Sequence, residues 1–153
     1  MRLIEKLEEK FALVDITKTQ KNDVLAEILK VICQEKKFSA QLQEEILNSL
    51  LKRESLGSTG IGNGFAIPHT KIEGIEDFYL TIGRSIAGLD FNAIDNAPVK
   101  IIFMLISPKG NDTLHLEFLK RIPTLGRNSD FVKFLGNVRS KKEVLELIEE
   151  MDK

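Results

Sequence analysis

The chain has 153 residues, 22 Lys and Arg against 23 Asp and Glu, and a formal net charge of -1 with its two histidines neutral. That length and a 42% hydrophobic content suit one core in a single domain over 1–153, while the near-cancelled charge gives no field to hold nucleic acid or an anionic membrane. The lone Cys33 excludes an intramolecular disulfide and any cysteine-based zinc or iron–sulfur site, so imidazole chemistry is confined to His69 and His115.

The first ten residues are charged throughout and lack the apolar stretch of a signal peptide. The longest apolar run, 101–106, is far short of the ~20 residues that cross a bilayer. The expectation is a soluble, cytoplasmic protein. Phe11 to Val14 reads as a short strand. Lys21 to Glu35 carries Val24, Leu25, Ile28, Leu29 and Ile32 on the rows of an amphipathic helix, with Cys33 at its edge as a small core hydrophobe. Ser39 caps a second helix bearing Leu42, Ile46, Leu47, Leu50 and Leu51, and Gly57 stops it. Gly57 to Gly64 holds four glycines in eight residues and is expected to be neither helix nor regular strand.

β texture follows. Phe78 to Ile86 alternates, Val99 to Ile106 reads as a strand buried on both faces, and Asp95-Asn96-Ala97-Pro98 between them is turn chemistry. Asp112 or Thr113 then caps a helix with Leu114, Phe118, Leu119 and Ile122, which Pro123 should kink or end. A short helix is expected over 130–135, and Ser140 with Glu143 forms a capping box for a last one. Helices, strands and helices again suggest a layered α/β domain with a mixed sheet.

Chemistry concentrates at 53–71. A glycine-rich loop can turn backbone N–H groups onto a phosphate, but Gly64-Phe65-Ala66 breaks the Walker pattern and Phe65 breaks the dinucleotide fingerprint; by themselves the glycines equally suit a tight connection. Pro68 stiffens the backbone that presents His69, which suits a reactive imidazole as well as a structural one. His115 falls in the first turn of its helix, where the dipole disfavours protonation; a neutral supporting ring and a cap residue both fit. Arg53 ends the second helix just before the glycines, either as a phosphate fork or, with Lys52 and Glu54, as a solvated helix end. Two histidines 46 residues apart without a carboxylate motif make no zinc site.

The stretch from Arg53 through Gly57-Ser58-Thr59-Gly60-Ile61-Gly62-Asn63-Gly64-Phe65-Ala66-Ile67-Pro68 to His69 resembles the active-site segment of the type-2 enzyme IIA domains of the bacterial phosphoenolpyruvate-dependent sugar phosphotransferase system, the fructose/mannitol and nitrogen-regulatory family. Gly88-Leu89-Asp90-Phe91, Ile94-Asp95, Pro98-Val99, Ser107-Pro108 and His115-Leu116 extend the resemblance over 11–149. It implies a three-layer α/β/α sandwich around a mixed β-sheet and a phosphotransferase that works as a carrier, without metal or organic cofactor. It implies that His69 accepts the phosphoryl group on Nε2, that His115 assists and that Arg53 neutralises charge. The amides of Thr59, Gly60, Gly62 and Gly64 are then expected to hold the phosphoryl oxygens, with Phe65 and Ile61 as an apolar rim.

The implied donor is HPr or an HPr-like carrier. The recipient is a IIB domain, with peripheral contact to a membrane transporter, or else a regulatory target. The nitrogen-regulatory use is preferred over the sugar-transport use, and a binding module without transfer is the reading from another class. Thr70 stands where many members have Gly; it and Pro123 are expected to lie away from the phosphoryl site and to bear on partner choice.

Overall fold

The computed structural model describes residues 2, 5–7 and 11–152. In chain order it gives β1 (Ala12–Leu13), α1 (Lys21–Lys36), α2 (Ala40–Leu56), β2 (Gly60–Gly62), β3 (Phe65–Ala66), β4 (His69–Ile72), β5 (Tyr79–Leu89), β6 (Val99–Pro108), α3 (Asp112–Gly126), α4 (Ser129–Asn137) and α5 (Lys141–Met151). The apolar run that is too short for a membrane becomes the centre of β6, buried from Ile101 to Ser107. Among the described residues no helix is long and apolar enough to cross a membrane.

The sheet is mixed, in the order β1-β5-β6-β3-β2. β6 runs antiparallel to β5 on one side; on the other it runs parallel to β3 and then to β4, with Phe65 opposite Ile101 and His69 opposite Leu105. β3 and β4 thus share one flank of β6, interrupted at Ile67-Pro68. β2 covers β3 but not β4, so β4 lies at a sheet edge. Successive strand residues point to opposite faces. At Gly83 an added Cβ would meet Ile28 of α1, whereas the next residue, Arg84, sends its guanidinium to the Leu135, Gly136 and Val138 carbonyls at the end of α4. Helices α1 and α2 therefore cover one face, and the layer of α3, α4 and α5 covers the other. This is the three-layer sandwich that the family resemblance implies.

Local chemistry sets most boundaries. Ser39 Oγ accepts from the Leu42 N–H and Ser140 Oγ from the Glu143 N–H, as their spacing predicts. α3 differs twice from expectation. Its cap is Asn111, whose side chain accepts from the Leu114 N–H, one residue before the nearer expected cap. It also continues past Pro123 to Gly126, because burying Ile122 and Leu125 offsets the one helical hydrogen bond that proline cannot donate. Gly126 itself lies against the Phe65 ring, which tilts onto Phe103 and Phe131 in the core at 5.8 and 6.2 Å between centroids.

The glycine-rich segment is more regular than expected. β2 and β3 form an antiparallel hairpin with Gly62 opposite Phe65 and only Asn63-Gly64 between them. Both turn residues have positive φ, 56° and 78°, as a two-residue type I′ turn requires. Asn-Gly is the residue pair most suited to it.

Candidate functional site

Residues spaced three and four apart share one helix face. Ser49, Lys52, Arg53 and Leu56 of α2 are such a row, and together they form one wall of an open depression of about 430 Å³. β4 supplies the floor with His69, Thr70 and Lys71, and α3 the opposite wall with His115, Leu116 and Leu119. The edge position of β4 explains this meeting of two layers. Thr70 turns towards α2, where its hydroxyl is hydrogen bonded to that of Ser49. His69 and Lys71 turn towards α3, the first to the His115 ring and the second to the Asp112 carboxylate at 2.8 Å. Thr70 is expected to lie away from the phosphoryl site; strand alternation sends its side chain to the opposite layer, while the residue still lines the depression, which wraps the sheet edge.

The His69 Nδ1–H donates to the Ile67 carbonyl at 2.8 Å. A carbonyl oxygen can only accept, so the proton is fixed on Nδ1 and Nε2 keeps its lone pair. Burial above all, helped by the nearby Arg53 guanidinium, lowers the pKa of this ring below its ordinary 6.5 and leaves it neutral at pH 7. His115 is buried, with Nδ1 against the Ser107 hydroxyl at 2.7 Å. Burial, and then the proximity of His69 and Lys71, lower its pKa from 6.5 to about 4. The two ring centroids are 5.6 Å apart. Arg53 Nη1 donates to the Gly57 carbonyl at 2.8 Å, which places the guanidinium at the mouth beside Lys52. Two neutral imidazoles thus share the depression with three cations, Lys52, Arg53 and Lys71.

The glycine segment does not join them. None of Thr59, Gly60, Gly62 and Gly64 lines the depression. Two of their amides, those of Thr59 and Gly60, are committed elsewhere. Thr59 gives both its N–H and its hydroxyl to the Glu54 carboxylate, and the Gly60 N–H goes to Ser58 Oγ at 3.0 Å. Gly62 faces Asp95, while the Gly64 carbonyl accepts from Lys100 and Ile101. The hairpin is tied to 93–101 and not aimed at an anion between the histidines. The rim also differs: Phe65 is fully buried, because β3 carries it into the aromatic core, and the exposed apolar residues beside the histidines are Leu56 (78%) and Leu116 (52%).

Three residues escaped the sequence reading. Ser49 is signalled only by stepping one turn back from Arg53. Glu54, taken for a solvated helix end, is buried; it pairs with Lys21 at 2.6 Å and holds Thr59, so it fixes how the chain leaves α2. Ser107 precedes Pro108 in a run that otherwise reads as apolar strand, and only the position of α3 makes it the His115 partner. Among the described residues no three His, Cys, Asp or Glu side chains gather to hold a metal ion.

Residues 5–151 match the family model of the phosphoenolpyruvate-dependent sugar phosphotransferase system, EIIA 2, and the chain belongs to that family. It is 31% identical over 153 residues to the fructose-specific EIIABC component of Bacillus subtilis, all of this chain against 24% of that protein's length. It is 37% identical over 120 residues to the nitrogen regulatory protein of Pseudomonas aeruginosa, 78% of this chain and 76% of that one. Its fold superposes on the crystal structure of the nitrogen regulatory protein IIA-Ntr from Neisseria meningitidis with a TM-score of 0.87 at 28% identity, covering 95% of this chain and 98% of that one.

Proposed function

We propose that this enzyme IIA family member carries a phosphoryl group on Nε2 of His69, accepted from phosphorylated HPr or an HPr-like protein. The observation that carries this is the tautomer. With the proton held by the Ile67 carbonyl, Nε2 is the one nucleophilic nitrogen, on a ring that is neutral at pH 7. Transfer is in line: the Nε2 lone pair forms the new N–P bond while the donor's N–P electrons return to the donor imidazole. No proton has to cross, since His69 retains its Nδ1–H throughout. Catalysis is then positioning plus neutralisation of the phosphoryl oxygens. Arg53, Lys52 and Lys71 supply positive charge; the Lys71–Asp112 pair is exposed and solvent-screened, so it holds its ammonium weakly. His115 donates from Nε2 when its Nδ1 accepts the Ser107 hydroxyl proton.

Leu56 and Leu116 frame the site as the apolar part of a docking surface for the donor and then for the recipient. The recipient is a IIB domain in a sugar-transport use, with a membrane transporter behind it, or a regulatory target in a nitrogen-regulatory use. The IIA-Ntr superposition and the 37% match favour the second. Such a carrier works in the cytoplasm and needs no cofactor.

The test is transfer from phosphoenolpyruvate through enzyme I and HPr. The native chain should gain acid-labile label and His69→Ala none; label that persists in the variant overturns the assignment. Pulling on cell extracts with the phosphorylated and unphosphorylated forms separates the two uses: a target held by one form alone supports the regulatory one.

A further inference from the structure

Two hydroxyls meet at the edge of β4 beside the phosphoryl acceptor. Ser49 Oγ and Thr70 Oγ1 are hydrogen bonded to one another, and both residues line the depression that holds His69 and Arg53. A pair of hydroxyls carries two hydrogens, and their mutual bond uses one of them. We assign the donor role in that bond to the buried member, which has less access to water and so the greater cost if its hydrogen goes unbonded. Thr70 is buried, whereas Ser49 is half-buried and stands one helical turn before Arg53 on the cavity-facing row of α2. The Ser49 hydrogen then points outward, and neither hydroxyl makes a further hydrogen bond within the described chain.

We propose that Ser49 is a phosphoryl-binding residue of this site, donating its hydroxyl hydrogen to an oxygen of the phosphoryl group on His69, and that Thr70 is a positioning residue that orients it. The inference rests on the reading of His69 as phosphoryl carrier. Donation from Thr70 polarises the Ser49 hydroxyl and strengthens its bond to an anionic oxygen. The pair supplies what the glycine hairpin does not: a neutral donor aimed at the group from the α2 side, next to the Arg53 charge. It also gives Thr70 a task at the site, since glycine there would leave Ser49 without an orienting partner.

The test is the equilibrium of phosphoryl exchange with HPr, read as the phosphorylated fraction of each protein, together with the 31P chemical shift of the phosphohistidine and the melting temperature. A hydrogen bond to a charged group is worth about tenfold in an equilibrium constant or somewhat more. Ser49→Ala should therefore move the equilibrium about tenfold towards HPr and shift the 31P line. Thr70→Val should cost about threefold, Thr70→Ser should recover most of that loss, and the double variant should match Ser49→Ala because the two act in series. A merely structural role would lower the melting temperature and leave the 31P shift and the exchange equilibrium where they were, which overturns the proposal. A larger loss in Thr70→Val than in Ser49→Ala overturns the assigned order of the two hydroxyls. Phosphoramidate, a small nitrogen-linked phosphoryl donor, serves as a second source of label. A native chain that labels with it, with Ser49→Ala indistinguishable from native, defeats this inference and leaves the carrier function standing; a native chain that takes label from neither donor defeats both.

Discussion

His69 and His115 lie 5.6 Å apart between ring centroids, yet the chain holds them by opposite means. His69 sits on an edge strand, half-buried, with its Nδ1–H donated to a backbone carbonyl that can only accept. His115 stands in the first turn of α3, buried, against a serine hydroxyl that can donate or accept. The carbonyl imposes one tautomer and so one nucleophilic nitrogen. The hydroxyl lets His115 take either tautomer and turn from donor to acceptor. A carrier that gains its cargo in one encounter and loses it in another needs a fixed point of attachment and an adaptable neighbour, and the two hydrogen-bond partners provide that division.

The strongest way to break the comparison is to exchange the losses. His69→Gln should abolish labelling, by about 10³-fold or more in rapid-quench transfer, because no other nitrogen is presented. His115→Ala should still accept label but pass it on about 10²-fold more slowly, the usual cost of one preorganised donor. Equal loss in both variants, at the same step, ends the division of roles. A smaller effect is expected from Ser107→Ala, about threefold to tenfold on onward transfer, since it removes an orienting bond and leaves the ring in place. In that variant the 15N shifts of His115 should show mixed tautomers while those of His69 stay as in the native chain.

Acidity gives the gentlest probe. A histidine whose folded pKa lies below its unfolded 6.5 binds fewer protons folded than unfolded, so stability is full above 6.5 and declines as pH falls towards the folded value. For His115 that window runs from 6.5 down to about 4. The melting temperature should therefore drop between these limits, and drop less in His115→Gln. Acceptance by His69, whose pKa is also lowered, should decline on acidification with a midpoint below the ordinary 6.5; a midpoint at or above 6.5 argues against the neutral nucleophile.

Local signals in the sequence go far towards the fold. The stripes of α1 and α2, the serine caps and the apolar run of β6 each follow from residues a few positions apart. The site is legible as far as it is contiguous: Arg53 and His69 stand at the two ends of one segment, and His115 opens the next helix after β6. What hides is whatever depends on which flank of β6 a strand takes. Nothing around Thr70 announces that β4 is an edge, and without that the joining of Ser49 to the histidine side is invisible. The glycines misled for a related reason. Read as phosphate-holding amides, they serve a hairpin whose Asn63-Gly64 pair is a turn signal in its own right, and whose polar groups Glu54, Ser58 and Asp95 had already taken.

The open flank of β4 has one more consequence, for solubility. An exposed strand edge is a template on which identical chains can polymerise. Here, among the described residues, β4 pairs with β6 alone and no further strand joins its outer edge. Its defence lies in the strand itself: four residues long, preceded by Pro68, which cannot donate to an incoming chain, and carrying the charge of Lys71 at its centre. The same short, charged strand that presents His69 is a poor template for an incoming chain.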